Sequence, residues 1–296
     1  MPQRRAPSPS PTAKAAPRRA GLRANQRCGA HISGGVGKSL EGARALGCDC
    51  LQIFTASPRQ WKASAIPPDR AAAFRAERAA SGLHPLVVHA NYLINMAGDN
   101  STFHTGSLTA FRGELERAVA IGAEYLVLHP GSGDAMKCID SIRAASRGLN
   151  WGGLQLLIEN TPGAGRHLGG SFGQLGEILA GLDGLPVGVC IDTCHAWVAG
   201  YDLLSAKGYA AAMDELDATV GLAKVPVFHC NDAKADRASH RDRHEHIGEG
   251  KLGKSVFRRL LRDPRLRAKA FILETPIDAP DAQARDLACL RQLAGR

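Results

Sequence analysis

Nine histidine and acidic residues of this chain stand at or near the ends of short apolar runs, where their side chains could bind metal ions. They are His89, His129, Glu159, Asp192, His195, His229, Asp242, His244 and Glu274. Imidazole and carboxylate groups are the ligands that hold zinc and manganese in proteins. In one pocket without cations, so many groups would repel one another or have to bind protons. The set predicts several metal ions, and three ions that share a bridging carboxylate would use all nine groups.

The spacing of these residues indicates how they divide among ions. Asp192 and His195 are three residues apart at the end of an apolar run, where they could serve different ions. Asp242 and His244 are separated by one residue, so in an extended segment their side chains lie on the same side, as a single ion requires. The neighbouring His240 and His246 are interpreted as loop residues outside the set.

Eight short apolar runs must position these groups. Each run ends at a polar residue and is followed by glycine or proline and then by a helical pattern. The runs are Arg27–His31, Cys50–Phe54, Leu86–His89, Tyr125–His129, Leu156–Glu159, Val187–Asp192, Val225–His229 and Phe271–Glu274. Their ends are 23 to 45 residues apart, and a βα unit needs about 30 residues. The pattern predicts a single (β/α)8 TIM barrel, whose strands all end at one face.

Helical stretches fill the gaps between the runs. The predicted helices are Ser39–Leu46, Pro68–Ala80, Leu108–Ile121, Ile139–Leu149, Phe172–Leu182, Tyr209–Val220, Ser255–Arg262 and Ala282–Leu293. A doubly wound α/β fold is the alternative, but it usually has fewer strands and a glycine-rich phosphate loop. The segment 34–39, GGVGKS, is similar to such a loop, yet Ile32 stands where the standard pattern needs glycine. We expect a glycine-rich βα loop of a barrel there.

The net charge of +9 is concentrated at the N-terminus. Residues 1–27 contain seven basic and no acidic residues, which leaves 30 basic and 28 acidic residues in the remainder. This segment is rich in proline, alanine and serine and has no apolar period, so we expect a disordered tail over 1–27 and one barrel domain over 28–296. An inert extension, an arm that attracts nucleic acid and a transit peptide all remain open for the tail.

The remaining composition favours a cytoplasmic protein. None of the eight cysteines forms a C-x-x-C pair, and several lie within apolar runs, so we interpret them as reduced and structural. The N-terminal segment has no apolar stretch typical of a secretory signal. No apolar run approaches the length of about 18 residues that a transmembrane helix needs. We expect a monomer that does not contact a membrane.

After residue 27, nearly the whole chain resembles endonuclease IV. The matching stretches are GAHIS at 29–33, PRQW at 58–61, HANYLINM at 89–96, LHPGS at 128–132, IENT at 158–161, CIDTCHAWVAGYD at 190–202, HCNDAK at 229–234, DRHEHIGEG at 242–250 and ILET at 272–275. The CIDTCHA and DRHxxIGEG stretches are the most specific. The resemblance implies a TIM barrel with a trinuclear zinc site. It also implies hydrolysis of the phosphodiester 5′ to abasic sites in duplex DNA, which leaves 3′-hydroxyl and 5′-deoxyribose phosphate ends.

The resemblance also implies a role for each candidate residue. The three implied zinc sites are His89, His129 and Glu159; Glu159, Asp192, His229 and Glu274; and His195, Asp242 and His244. Glu159 would bridge the first two ions, and Glu159 and Glu274 are the candidate catalytic residues. Manganese is possible at some positions. Arg59 and Tyr92 match positions whose side chains enter the DNA stack, whereas His31 is assigned to no ion.

Three features depart from the family pattern. Gly133 and Asp134 follow the LHPGS stretch, where the family often has histidine, and the segment 133–151 is short. Pro162 follows IENT in place of a commoner small residue. These departures leave the implied ligands unchanged and affect only the DNA contacts expected from the loop.

Two other functions are compatible with parts of the pattern. A metal-dependent sugar isomerase or epimerase on the same barrel would use one or two ions, and the additional Asp242 and His244 pair argues against it. A non-catalytic, metal-stabilised DNA-binding protein would not need an open ligand set rich in oxygen donors.

Overall fold

The computed structural model describes residues 26–295, whose central feature is a closed barrel of eight parallel strands. The strands are β1 Arg27–His31, β2 Cys50–Ile53, β3 Leu86–His89, β4 Tyr125–Leu128, β5 Gln155–Glu159, β6 Val187–Asp192, β7 Val227–His229, β8 Asp232–Ala233, β9 His244–Glu245 and β10 Ala270–Leu273. The barrel order is β1-β10-β7-β6-β5-β4-β3-β2, and β8 and β9 form a separate antiparallel pair. All eight predicted runs become barrel strands, so the TIM-barrel prediction is confirmed.

Side chains alternate between the inside and the outside of the barrel. On β3, Val87 belongs to a small cluster inside the barrel, whereas Leu86 and Val88 belong to the large apolar layer beneath the helices. Because successive side chains of a strand point to opposite faces, His89 shares the inner face with Val87. His89 therefore lies one layer above the packed interior, at the mouth where the strands end.

The same two-residue step recurs on six strands. The pairs of interior residue and candidate ligand are Val87 and His89, Val127 and His129, Leu157 and Glu159, Cys190 and Asp192, Val227 and His229, and Ile272 and Glu274. The apolar partner of each pair fills the barrel, so the polar partner is held at the carboxyl end of the strands. The fold thus converts six separate strand ends into one polar layer.

Helices surround the barrel in the order that the sequence predicts. They are α1 Gly35–Ala45, α2 Pro68–Ser81, α3 Ser101–Ala120, α4 Ala135–Ser146, α5 Phe172–Gly181, α6 Thr193–Ala199, α7 Ala206–Thr219, α8 Gly253–Arg262 and α9 Ala282–Ala294. All except α6 match a predicted stretch. α3 begins seven residues before the predicted Leu108 because the Asn100 side chain accepts hydrogen bonds from the N–H groups of Thr102 and Phe103.

Two small elements near the barrel mouth were not predicted. Helix α6 begins directly where β6 ends, without a loop, and the Asp192 side chain accepts a hydrogen bond from the backbone N–H of His195 at 2.9 Å. The β8–β9 pair lies in the chain that follows β7, and in it Ala233 pairs with His244. Both elements carry candidate ligands that do not lie on barrel strands.

The described chain begins inside the barrel and not in a tail. Gln26 is buried and its side-chain amide donates to the backbone oxygen of Leu261, and Arg27 opens β1. The rest of the predicted tail, residues 1–25, lies outside the described residues. The segment 34–39 lies where β1 leads into α1. Gly34, at a φ of 93°, ends the connecting turn, and residues 35–39 form the first turn of α1, so the loop is shorter than predicted.

Six of the eight cysteines are buried, which agrees with their interpretation as small apolar residues. Within residues 26–295, no helix is long and apolar enough to span a bilayer.

Candidate metal centre

The nine candidate ligands meet at the carboxyl ends of the barrel strands. Six come from barrel strands or the residue that follows them, His195 from α6, His244 from β9, and Asp242 from the segment before β9. They fall into overlapping groups whose potential ligand atoms lie within 4.8 Å of one another. The groups are His89, His129 and Glu159; Glu159, Asp192, His229 and Glu274; Asp192, His195 and His244; and Asp242, His244 and Cys194. The structure therefore brings together residues as far apart in the chain as His89 and Glu274.

The first group consists of His89, His129 and Glu159. The Nε2 atoms of His89 and His129 lie 3.3 Å and 3.2 Å from Oε2 of Glu159. Two imidazoles on neighbouring strands thus face one carboxylate oxygen, which is a suitable arrangement for one ion.

The second group uses the other oxygen of the same carboxylate. Nδ1 of His229 lies 2.9 Å from Oε1 of Glu159 and 3.2 Å from Oε2 of Glu274, and Asp192 completes the group. Because Oε1 and Oε2 of Glu159 face different groups, this side chain has the geometry of a bridge between two ions.

The third group, made of His195, Asp242 and His244, lies at the most exposed side of the centre. Nε2 of His195 and Nε2 of His244 lie 3.2 Å and 3.1 Å from the two oxygens of Asp242. Asp192 is also close, with its Oδ2 atom 3.6 Å from Nε2 of His244. The structure thus places Asp192 beside the third group as well as in the second.

The hydrogen bonding of the centre is incomplete in a way that fits metal ions. Oε2 of Glu159, Nε2 of His195 and Nε2 of His244 are buried and make no hydrogen bond. The facing atoms of opposite charge type are 3.1–3.3 Å away. Buried polar atoms without a partner cost about 1–3 kcal/mol each. The unsatisfied atoms are potential ligand atoms, so a cation between them removes this cost.

The electrostatics of the centre also favour positive charge. Burial raises the pKa of the Glu159 carboxyl, but the imidazoles of His129 and His229 outweigh it and hold that pKa well below its usual range. Burial lowers the pKa of His195, yet Asp192 and Asp242 raise it to about 10. Burial alone dominates at His129, where it lowers the pKa to about 4. The carboxylates therefore favour protonated histidines in the third group, and a metal ion that binds there would have to displace those protons.

Backbone carbonyls fix which nitrogen of three histidines faces the centre. Nδ1 of His89 lies 2.8 Å from the oxygen of Ala90, Nδ1 of His195 lies 2.9 Å from that of Asn160, and Nδ1 of His244 lies 3.1 Å from that of Glu274. A carbonyl only accepts, so each Nδ1 donates. In the neutral form that binds a metal, the lone pair of each ring is then on Nε2, the atom that faces the carboxylates.

Two buried asparagines that we did not predict support the acidic ligands. Asn231 donates from Nδ2 to Oδ2 of Asp192 at 2.5 Å and accepts the backbone N–H of Glu274 at 2.8 Å. Oδ1 of Asn160 accepts the backbone N–H of Asp192 at 2.6 Å. Asn160 directly follows a candidate ligand and Asn231 comes two residues after one. That proximity is the sequence signal that could have indicated them.

The two loop residues proposed to contact DNA lie on the same face. Tyr92 is 58% exposed, and its ring centroid is 5.4 Å from that of His89. Arg59 is exposed on the loop after β2, and Asn91 holds this loop by donating to the oxygens of Ser57 and Gln60. A cavity of about 410 Å³ lies next to Tyr92 and reaches His129 and Asp242.

The nearby histidines outside the set have other partners. Nδ1 of His246 lies 2.8 Å from the carboxylate of Asp286 on α9, and Nδ1 of His240 lies 2.7 Å from the oxygen of Pro162. The structure thus keeps both side chains out of the three groups.

Known proteins share this barrel over almost its whole length. The family model described as "Xylose isomerase-like TIM barrel" matches residues 40–293. A protein of Solibacter usitatus named probable endonuclease 4 is 47% identical over 281 residues, which cover 91% of this chain and 97% of the relative. The crystal structure of endonuclease IV from Thermus thermophilus has a TM-score of 0.82 at 39% identity and covers 91% of this chain and 99% of that one.

More distant structures share the architecture. A D-tagatose 3-epimerase-like protein has a TM-score of 0.67 at 20% identity, over 91% of this chain and 98% of that one. Identity at that level shows the fold alone. The two endonuclease IV relatives, in contrast, match at 39% and 47% identity over almost the full barrel. This chain therefore belongs to the endonuclease IV family, on a xylose isomerase-like TIM barrel.

Proposed function

We propose that this protein hydrolyses the phosphodiester on the 5′ side of abasic sites in duplex DNA with three zinc ions. The observation that carries the proposal is the arrangement of Glu159, which turns one oxygen to each of two ligand groups while a third group adjoins them. The endonuclease IV relatives support DNA as the substrate. The products would have 3′-hydroxyl and 5′-deoxyribose phosphate ends.

The proposed ligands follow the three groups. His89, His129 and Glu159 would hold one ion; Glu159, Asp192, His229 and Glu274 a second; and His195, Asp242 and His244 a third. Zinc suits this mixture of nitrogen and oxygen donors, and manganese suits the positions richest in oxygen. When bound, the ions supply Lewis acidity toward the phosphate and activate water near neutral pH.

The side chains of the centre determine how that chemistry is positioned. Glu159 and Glu274 would contribute negative charge to the ligand groups, and this charge would offset the mutual repulsion of neighbouring ions. The histidines whose Nδ1 atoms donate to backbone carbonyls hold their rings in fixed orientations. Because no serine, cysteine or other side-chain nucleophile is needed, the reaction would proceed without a covalent protein intermediate.

Recognition of the lesion is assigned to the exposed loops. An abasic site has no base edge to read, but it unstacks and bends more easily than intact duplex. Tyr92 lies beside His89, and Arg59 is exposed on the loop after β2. Tyr92 can fill the gap by stacking on a base, and Arg59 can pair with phosphate or stack.

The competing function is isomerisation or epimerisation of a sugar, because an epimerase-like protein has the same fold. The third group favours the endonuclease because isomerases of this type need only one or two ions. A duplex with a single abasic analogue separates the possibilities. Cleavage 5′ to the lesion is expected, whereas binding without cleavage would indicate a DNA-binding protein. Turnover of sugars alone would indicate an isomerase.

A further inference from the structure

Gln52 is a fully buried polar residue whose side chain points into the barrel mouth. It stands on β2, two residues after Cys50 of the interior cluster. This is the same step that separates Val87 from His89 on the next strand. Gln52 therefore belongs to the polar layer that contains the ligands, although an amide is not a typical zinc ligand.

The amide makes three contacts within this layer. Its Nε2 atom lies 2.5 Å from Oε1 of Glu274 and 3.0 Å from Nδ1 of His31, and its Oε1 atom lies 2.8 Å from Nε2 of His229. A carboxylate only accepts, so the NH2 group has to face Glu274. The amide oxygen is then the atom that faces His229. The orientation of the amide is thus determined by its partners.

This orientation determines the tautomer of His229. Facing an amide oxygen, Nε2 of His229 has to donate and keeps its proton. The lone pair available to a metal is therefore on Nδ1, the atom 2.9 Å from Glu159 and 3.2 Å from Glu274. His89, His195 and His244 face the centre with Nε2 because backbone carbonyls hold their Nδ1 atoms. His229 is oriented the opposite way, and a side chain orients it.

The same amide also restricts Glu274. One carboxylate oxygen, Oε1, is occupied by Gln52, and the other, Oε2, faces Nδ1 of His229. Rotation of the carboxylate would break the hydrogen bond to a buried amide. Glu274 consequently presents a single defined oxygen to the second group.

We infer that Gln52 is a positioning residue for the second metal ion, because it fixes the tautomer of His229 and the rotation of Glu274. The inference rests on the metal centre of the proposed function and adds to it a residue that is neither a proposed ligand nor a proposed DNA contact. Loss of such an outer partner typically weakens metal binding by about 10–100-fold.

The test compares Gln52→Met with Gln155→Met in the zinc-loaded protein. Methionine has similar length but cannot donate or accept in this way. Gln155 is a suitable control because it lies at the opposite end of a barrel strand, where its Nε2 atom donates to the oxygen of Val187 at 3.1 Å. Each protein is challenged with a chromogenic chelator. We expect one ion of Gln52→Met to leave about 10–100-fold more readily than in wild type, and Gln155→Met to match wild type.

Cobalt substitution separates positioning from general stability. The visible absorption of bound Co²⁺ depends on its ligand geometry, whereas a merely structural loss lowers the thermal midpoint without changing that spectrum. The Co²⁺ spectrum of Gln52→Met is expected to differ from wild type, and that of Gln155→Met to match it. If the Co²⁺ spectrum and the release rates of Gln52→Met are the same as those of Gln155→Met and wild type, the inference is overturned.

A second variant keeps the test decisive if Gln52→Met does not fold. Gln52→Glu retains an oxygen for His229 but sets a carboxylate against Glu274, so faster loss of one ion is again expected, and wild-type release would contradict the inference. Because release is measured without DNA, a wild-type protein that retains its ions but does not cleave abasic duplex refutes only the proposed function. A wild-type protein that holds no ion refutes both.

Discussion

Glu159 is the residue whose loss should matter most for two of the three ligand groups. Its oxygens face different groups, and no other carboxylate of the described centre faces both. In Glu159→Gln the bridging charge disappears and an amide NH2 replaces one ligand oxygen. We expect cleavage of abasic duplex to fall by at least about 100-fold, above the loss that outer partners cause, while circular dichroism shows an intact barrel.

The matched control for this substitution is Glu177→Gln, which makes the same chemical change on the exposed face of α5. It should cleave at the wild-type rate. A wild-type rate in Glu159→Gln would refute the bridging assignment.

Arg59 and Tyr92 provide the prediction for lesion recognition. Stacking of an aromatic ring on a base contributes about 1–3 kcal/mol, and intact duplex offers no gap for it. The double variant Arg59→Ala with Tyr92→Ala should therefore bind abasic duplex roughly 10–100-fold more weakly and change little toward intact duplex, with its metal content unaltered. Fluorescence anisotropy on both duplexes measures this difference.

Arg258→Ala, on the exposed surface of α8, controls for the loss of a surface charge. Equal weakening on both duplexes by the double variant would mean that the loops contact the DNA backbone and do not sense the lesion.

At the scale of elements, the barrel strands could be predicted well because each combines a buried run with an abrupt polar end. The ligands could be located for the same reason, since a polar residue two positions beyond an interior residue has a defined direction. Prediction failed for Gln52, because an amide inside β2 is not a ligand type and the apolar run was expected to continue to Phe54. It also failed for α6, whose first turn depends on the Asp192 side chain and not on a separating loop.

The β8–β9 pair could not be predicted because each strand has only two residues and its pairing depends on long-range contacts. Asp232 holds this region together as a buried acceptor for five backbone N–H groups. They belong to Ala233, Gly248, Gly250, Leu252 and Gly253. One carboxylate thus connects β8 to the segment that leads from β9 into α8. The third ligand group depends on this connection, since His244 lies on β9.

This connection predicts the effect of Asp232→Asn. An asparagine has to turn its NH2 group toward at least two of the N–H groups, which leaves buried donors unsatisfied. We expect a loss of at least about 2 kcal/mol in the free energy of unfolding and weaker retention of one metal ion. Urea denaturation and elemental analysis measure the two effects.

The exposed Asp236→Asn provides the control, because Asp236 only pairs with Lys251 at the surface. If Asp232→Asn matches this control in both measurements, Asp232 does not organise the β8–β9 pair.

At the scale of the whole molecule, the excess of basic residues is concentrated at the N-terminus. Residues 1–25 are rich in proline, alanine, serine and arginine and have no apolar period. We therefore expect their deletion to leave the thermal midpoint of the barrel unchanged. If those residues attract DNA electrostatically, the deletion should flatten the dependence of log affinity on log salt concentration by roughly 0.9 for each lost phosphate contact. An unchanged slope would support an inert extension.

The distribution of the ligands along the chain has a consequence for how the barrel comes apart. The second group alone spans residues 159 to 274 and includes the ends of four strands. An ion bound there would act as a cross-link between distant segments, so these strands could not separate locally without releasing it. An ion that binds only the closed barrel stabilises that state by RT ln(1 + c/Kd), which rises with the ion concentration c relative to its Kd. A protein cut by a protease in an outer loop would therefore stay assembled while the ions remain bound.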